Sequence, residues 1–176
     1  MDQVMNRPAE TDYPPYFANY VSRVPEGDLL SLLESQGREL DALLRHLTDE
    51  QGMLRYAPGK WSLKELLGHI SDTERIMAGR ALRFARGDRT PLPGFDQDPY
   101  IAAAQSERLS FDFLLEEFGA VRKASLLLFK GLPEEAWSRF GILNAAEASV
   151  LSFACIIYGH TQHHLNIVKE RYLPAM

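Results

Sequence analysis

Four long segments repeat apolar residues at steps of three and four, and no other feature of the 176-residue chain constrains its fold as strongly. This spacing places the apolar side chains on one stripe of an α-helix. Because no segment has a convincing strand pattern, the sequence predicts an all-α protein, and four amphipathic helices favour a four-helix bundle. The predicted helices cover about 28–47, 62–86 and 110–130, with a fourth that starts between 144 and 149 and ends near 172.

The second helix has the clearest start. Ser62 is a good N-cap, and Glu65 three residues later completes a capping box. Trp61 and Leu66 occupy the positions of a hydrophobic staple, although Trp61 could instead form the wall of a pocket. Gly87 predicts the end of the helix.

The second connection, residues 87–108, is long and rich in proline, and it accommodates a crossover between helices. Connections of this length often cover a functional site. Within it, Asp98 and Pro99 form a favourable cap-plus-N1 pair, which predicts a short helix over about 99–105.

The domain organisation is predicted as an arm over 1–27 and a bundle domain over 28–173. The arm mixes prolines with aromatic residues and has no helical period, so we expect an extended segment whose aromatics lie on the body; a disordered tail would contain few aromatics. The third helix is too apolar for one stripe, which predicts either a second buried side or a homodimer contact. The aromatics expected on the body are Tyr13, Tyr16, Phe17 and Tyr20.

Composition excludes several classes of protein. The net charge of −5 and the pI near 5.5 argue against a nucleic-acid partner, which needs a clustered basic surface. The sequence has no run of eighteen apolar residues and no secretory signal, so no membrane association is expected. The single cysteine, Cys155, is predicted to be a small core residue and is typical of a cytoplasmic protein.

The fourth helix carries His160, His163 and His164 within five positions. His160 and His164 share one stripe, because four residues advance about 6 Å along the helix and about 40° around it. Their imidazoles can therefore converge on one metal ion, as i, i+4 pairs do in helical zinc sites. His163 lies about 60° away on the flank, either beside a ligand ring or facing solvent.

Two imidazoles leave a metal ion short of ligands, and His69 on the second helix is the candidate third ligand. Gly68 and Gly159 each precede one of the candidate ligands. Since glycine costs about 1 kcal/mol in a helix, they predict a close approach of helices there; chance is the alternative, because Gly79 and Gly119 also lie within helices and have no histidine beside them. Three neutral imidazoles bind zinc, nickel, copper or iron(II) and leave positions open for water or substrate.

A simpler alternative is that the three histidines are hydrogen-bonded core groups without a metal ion. Glu65, Asp72 and Thr73 lie within about a turn of His69 and could orient it. His46, at the end of the first helix, is given no catalytic role, and no catalytic base is identifiable.

Two segments resemble the DinB-like, or DinB/YfiT, superfamily of bacterial proteins, and within it a mostly uncharacterised subgroup. The segments are GKWSLKELLGHISDTERIMAGRALRFARGD at 59–88 and IIYGHTQHHLNIVKERYL at 156–173. The resemblance implies a four-helix bundle with a long second crossover, a divalent zinc, nickel or iron ion on His69, His160 and His164, and a homodimer. Similar proteins include thiol transferases, a maleylpyruvate isomerase and metal-dependent hydrolases.

Two functions follow as hypotheses. In the first, the chain is an enzyme that activates a low-molecular-weight thiol or water on the metal ion for attack on a small electrophilic substrate. In the second, it is a non-catalytic, dimeric module that binds a metal ion or ligand.

Overall fold

The computed structural model describes residues 7–176, and its main body is the predicted four-helix bundle. A π-helical turn over Val168–Tyr172 extends the last helix to its predicted end. The bundle helices are α1 (Leu29–Leu44), α2 (Leu63–Ala85), α3 (Phe111–Lys130) and α4 (Val150–Ile167).

The predicted caps form where side-chain oxygens meet the first free backbone N–H groups. Ser62 Oγ accepts the N–H of Glu65 at 3.2 Å, and the Glu65 carboxylate accepts the N–H of Ser62 at 2.8 Å. Of the two predicted starts of α4, Ser149 is the cap and Asn144 is not, because the Ser149 hydroxyl accepts the N–H of Ser152. The first helix ends at Leu44, three residues earlier than expected.

Two apolar clusters, one at each end of the bundle, define the directions of the helices. Met77, from the C-terminal half of α2, shares one cluster with Phe129 at the end of α3. Leu66 near the start of α2 shares the other cluster with Phe111 at the start of α3. The two helices therefore run parallel, and residues 86–110 return the chain along the bundle, which confirms the long crossover.

The helices are not arranged in chain order. Both α1 and α2 pack against α3 and α4, so α1 and α2 lie on one diagonal of the bundle and α3 and α4 on the other. This arrangement places His69 of α2 beside the histidines of α4.

The segment before α1 is not extended as expected. Its described part forms short helical turns, and Tyr13 and Phe17 are buried while Tyr16 is exposed. Residues 1–6 lie outside the described residues, and the domain boundary at 27/28 stays a prediction. The turns of this segment are Glu10–Asp12, Pro15–Phe17 and Ala18–Val21.

Other short helices occupy the connections. The crossover contains one over Gln97–Ala104, capped by Asp96 two residues before the predicted cap. The rest are Asp49–Gly52, Ser106–Arg108 and Glu134–Ala136, and a further turn over Leu173–Ala175 follows the last helix.

A β-hairpin corrects the expectation that the chain has no strands. β1 (Phe140–Leu143) pairs antiparallel with β2 (Ala146–Ser149). The turn residues Asn144 and Ala145 have φ values of 48° and 65°, as in a type I′ turn, where glycine is usual at the second position. Leu92 of the crossover exchanges backbone hydrogen bonds with the hairpin, which fixes the crossover at this point.

Gly159 and Gly68 admit short helical turns from the arm and the crossover and not another bundle helix, so the expected close approach of two bundle helices is not the reason for these glycines. A Cβ on Gly159 would overlap the carbonyl oxygen of Tyr20, from the segment before α1. A Cβ on Gly68 would overlap the hydroxyl of Ser106, from the crossover.

The outer face of α3 keeps Phe113 and Leu127 exposed, while the rest of its large apolar side chains are mostly buried in the bundle. The homodimer therefore stays a prediction. None of the described helices is both long and apolar enough to cross a membrane.

Replacing Gly159 with alanine tests the close contact with Tyr20. Because the backbone of the arm must move, we expect Gly159→Ala to lower the free energy of unfolding by about 1–3 kcal/mol in urea denaturation. Gly119→Ala is the matched control: its Cβ would meet open space, so the higher helix propensity of alanine should add up to about 1 kcal/mol. Equal effects of the two substitutions would contradict the packing of the arm.

Candidate metal centre

The structure brings together the three histidines that the sequence singled out. His69 Nε2 lies 2.9 Å from His160 Nε2, and His164 Nε2 lies 3.2 Å from the same atom. All three side chains are buried, with relative exposures of 4 to 6%. We refer to His69, His160 and His164 as the histidine triad.

Burial keeps the triad neutral. It lowers the pKa of His69 to about 4, with a smaller contribution from His163. Burial also lowers the pKa values of His160 and His164 well below the usual range, and the neighbouring histidines add to the effect. At neutral pH the rings are therefore in the uncharged form, which is the form that binds metal ions.

The geometry and chemistry of the triad fit a divalent transition-metal ion. Zinc–nitrogen bonds are about 2.0–2.1 Å long, so two nitrogens on one ion lie no more than about 4.2 Å apart. The Nε2 atoms of His69 and of His164 both lie closer to Nε2 of His160 than this limit. Among the described residues the group consists of three imidazoles without a carboxylate or thiolate, which leaves coordination positions for a further ligand.

His163 is outside the triad, on the flank that its helical position predicts. It is partly buried, and its ring lies edge-on to Tyr20 at 5.9 Å between centroids. His46 is exposed at the end of α1. Cys155 is buried in an apolar cluster, and burial raises the pKa of its thiol to about 12, so it stays protonated.

The polar residues expected to orient His69 do not hydrogen-bond to it. The carboxylate of Glu65 is used in the capping box, and that of Asp72 accepts from Arg75. The buried hydroxyl of Thr73 has no hydrogen-bond partner within residues 7–176.

Aromatic rings surround the triad instead. The ring centroid of Trp61 lies 5.0 Å from that of His69 and 6.4 Å from that of His164, so Trp61 is the pocket wall that the sequence allowed. Tyr20 lies edge-on to His160 at 5.4 Å. The sequence predicted that Tyr20 lies on the body, but not that it lies at the site. Gly159, next to His160, was the one sign in the sequence that another segment comes close to the backbone there.

A buried polar network behind the triad was not predicted. Arg122 of α3 donates to both carboxylate oxygens of Glu74 on α2, at 2.8–3.0 Å. Its guanidinium also donates to Thr161 Oγ1 on α4 and to Gln36 Oε1 on α1. The network thus joins all four bundle helices, and Thr161 directly follows His160.

Two cavities bordered by described residues reach the triad. The Trp61 cavity, of about 570 Å³, is bordered by Trp61 and His164. The Arg80 cavity, of about 540 Å³, is bordered by Arg80, His69 and His160. Tyr20 from the arm and the crossover residue Gln97 border both cavities, so two segments outside the four bundle helices cover the site.

The chain belongs to the DinB superfamily, whose family model matches residues 32–168. A protein of Oceanobacillus iheyensis, named provisionally as a metal-dependent hydrolase, is 27% identical over 142 residues, which are 80% of this chain and 81% of that protein.

Two solved structures share the fold. YfiT from Bacillus subtilis, described as a probable metal-dependent hydrolase with an unusual four-helix bundle topology, superposes with a TM-score of 0.70 at 15% identity over 94% of this chain and 90% of its own. A mycothiol-dependent maleylpyruvate isomerase gives 0.60 at 15% identity, over 81% of this chain and 61% of the isomerase.

Removing one partner of the buried ion pair tests how far it holds the bundle together. Arg122→Met leaves the Glu74 carboxylate buried without a cation, so we expect a loss of about 3–5 kcal/mol in the free energy of unfolding. Arg75→Met is the control: Arg75 is 46% exposed and pairs with Glu117, which should cost less than about 1 kcal/mol. Similar losses for both variants in urea denaturation would contradict a structural role for the network.

Proposed function

We propose that this member of the DinB superfamily is a metal-dependent enzyme, in which the histidine triad holds one divalent zinc, nickel or iron ion. The observation that carries the proposal is the convergence of three buried, neutral Nε2 atoms at a point that two cavities reach. The names of the Oceanobacillus and Bacillus relatives support a metal-dependent hydrolase in particular.

The alternative without a metal uses the same contacts as hydrogen bonds, in which the tautomer of each ring decides which nitrogen donates and which accepts. Such a core would have no need for access to the triad. The two cavities and the absence of a fourth protein ligand among the described residues favour the arrangement of catalytic metal sites.

A divalent ion held by His69, His160 and His164 would lower the pKa of a bound water toward about 7, would hold a bound thiol as the thiolate, and would polarise a bound electrophile. The protein itself shields the site from water and orients the ligands. The aromatic rings of Trp61 and Tyr20 shield the triad from bulk water, and the buried helices fix the directions of the imidazoles. In hydrolysis, water adds OH to the substrate carbon and the leaving group departs with a proton.

The pair of cavities supports a second candidate, thiol S-transfer. Each cavity has the volume of a small-molecule site, so a thiol and an electrophile can approach the triad from different sides. In this reaction a carbon–sulfur bond forms, the bond from carbon to the leaving group breaks, and the thiol proton leaves with that group. The fold shared with a mycothiol-dependent enzyme is consistent with this candidate.

Metal content and turnover test the proposal together. We expect the purified protein to bind about one divalent ion per chain and, when loaded, to turn over either p-nitrophenyl esters or monochlorobimane with a cellular thiol. His160→Ala should weaken metal binding at least about 100-fold, because one of three ligands is lost. Elemental analysis and steady-state kinetics measure the two properties.

His163→Ala is the matched control, since it removes an adjacent imidazole that is outside the triad. It should keep the metal content of the wild type. Equal metal content in wild type and His160→Ala would overturn the ligand assignment. Full metal occupancy without turnover of either substrate type would favour a non-catalytic binding module.

A further inference from the structure

Arg80 of α2 is a buried cation without a matching anion. The residue is 8% exposed, and its guanidinium forms no ion pair within residues 7–176. Nη2 donates to the carbonyl oxygen of Pro93 at 2.8 Å, Nη1 lies 3.5 Å from Met77 Sδ, and the guanidinium lies over the ring of Phe95. A guanidinium has five N–H groups, so several stay available.

Those N–H groups belong to a side chain that lines the Arg80 cavity, which also reaches the triad through His69 and His160. A buried, unpaired charge is costly unless an anion compensates it. Two further polar groups line the same cavity. The hydroxyl of Thr73 has no hydrogen-bond partner in the described part of the chain, and the Asn144 amide comes from the hairpin turn.

The other walls of this cavity favour an apolar molecule of low charge. Tyr16, Phe17 and Phe95 provide aromatic surface. Asp96 also borders the cavity; its carboxylate accepts the N–H of Asp98 and would repel a dianion more strongly than a monoanion. One guanidinium with neutral hydrogen-bond donors beside it is suited to binding a planar carboxylate, because the two carboxylate oxygens can accept two parallel N–H bonds from it.

We propose that Arg80 binds a carboxylate group, and that small monocarboxylates with an apolar or aromatic body are therefore the preferred substrates of the triad. The proposal rests on the proposed function, because it assigns a substrate class to the same site. Tyr16 and Phe17 lie outside residues 32–168, so part of the pocket wall comes from a segment that the family model does not cover.

Binding of benzoate tests this assignment, with benzyl alcohol as its neutral counterpart and phenyl phosphate as a more highly charged one. Titration calorimetry is performed on the full chain, both metal-loaded and metal-free. We expect benzoate to bind more tightly than either counterpart. Arg80→Gln should weaken benzoate at least tenfold and leave benzyl alcohol unchanged.

Arg83→Gln is the matched control, because Arg83 is an exposed arginine on the same helix and pairs with Asp88. It should bind benzoate like the wild type. Arg80→Lys is used if the glutamine variant does not fold. It keeps the positive charge but removes the paired N–H donors of the guanidinium, so we expect it to bind benzoate at least threefold more weakly than the wild type. Wild-type affinity in the Arg80 variants, or tighter binding of phenyl phosphate, would overturn the proposal.

The titrations of the metal-free protein separate the two proposals. Binding of benzoate that depends on Arg80 in a chain that takes up no metal would keep the carboxylate site at Arg80 and overturn the proposed metal-dependent function. If the protein takes up metal and its affinity for benzoate does not depend on Arg80, this inference is overturned and the proposed function is kept.

Discussion

The bundle depends on the buried ion pair between Glu74 and Arg122. Its hydrogen bonds reach α1 through Gln36 and α4 through Thr161, so one guanidinium fixes the relative positions of all four helices. Removing either charge leaves the other buried, which makes the arrangement costly to change. Since Thr161 follows His160 directly, the network also fixes the stretch of α4 that carries the triad.

The Glu74–Arg122 network and the triad lie between the two apolar clusters of the bundle. Segments outside the four bundle helices also contact the triad. The parallel course of α2 and α3 requires a crossover along the bundle, and this crossover contributes Gln97 to both cavities. The arm contributes Tyr20, which packs against a helix that has glycine at position 159. The segments that connect and precede the helices thus enclose the triad, while the helices hold its rings.

Local patterns explain what the sequence could predict. Capping residues and apolar spacing gave most helix limits, and the four-residue step separated His160 and His164 from His163. The hairpin was missed because Ala145 occupies the turn position where glycine is usual. The roles of Arg122 and Arg80 depend on residues far away in the chain, and a charged residue within a helix gives no sign of its partner.

A crystal structure of the metal-loaded protein, with anomalous data collected at the absorption edge of the bound metal, tests the central claim most directly. The account predicts one strong anomalous peak within bonding distance, about 2.0–2.2 Å, of Nε2 of His69, His160 and His164. A peak bound elsewhere, or a fully folded triad without a peak in protein saturated with zinc, nickel and iron in turn, would contradict it.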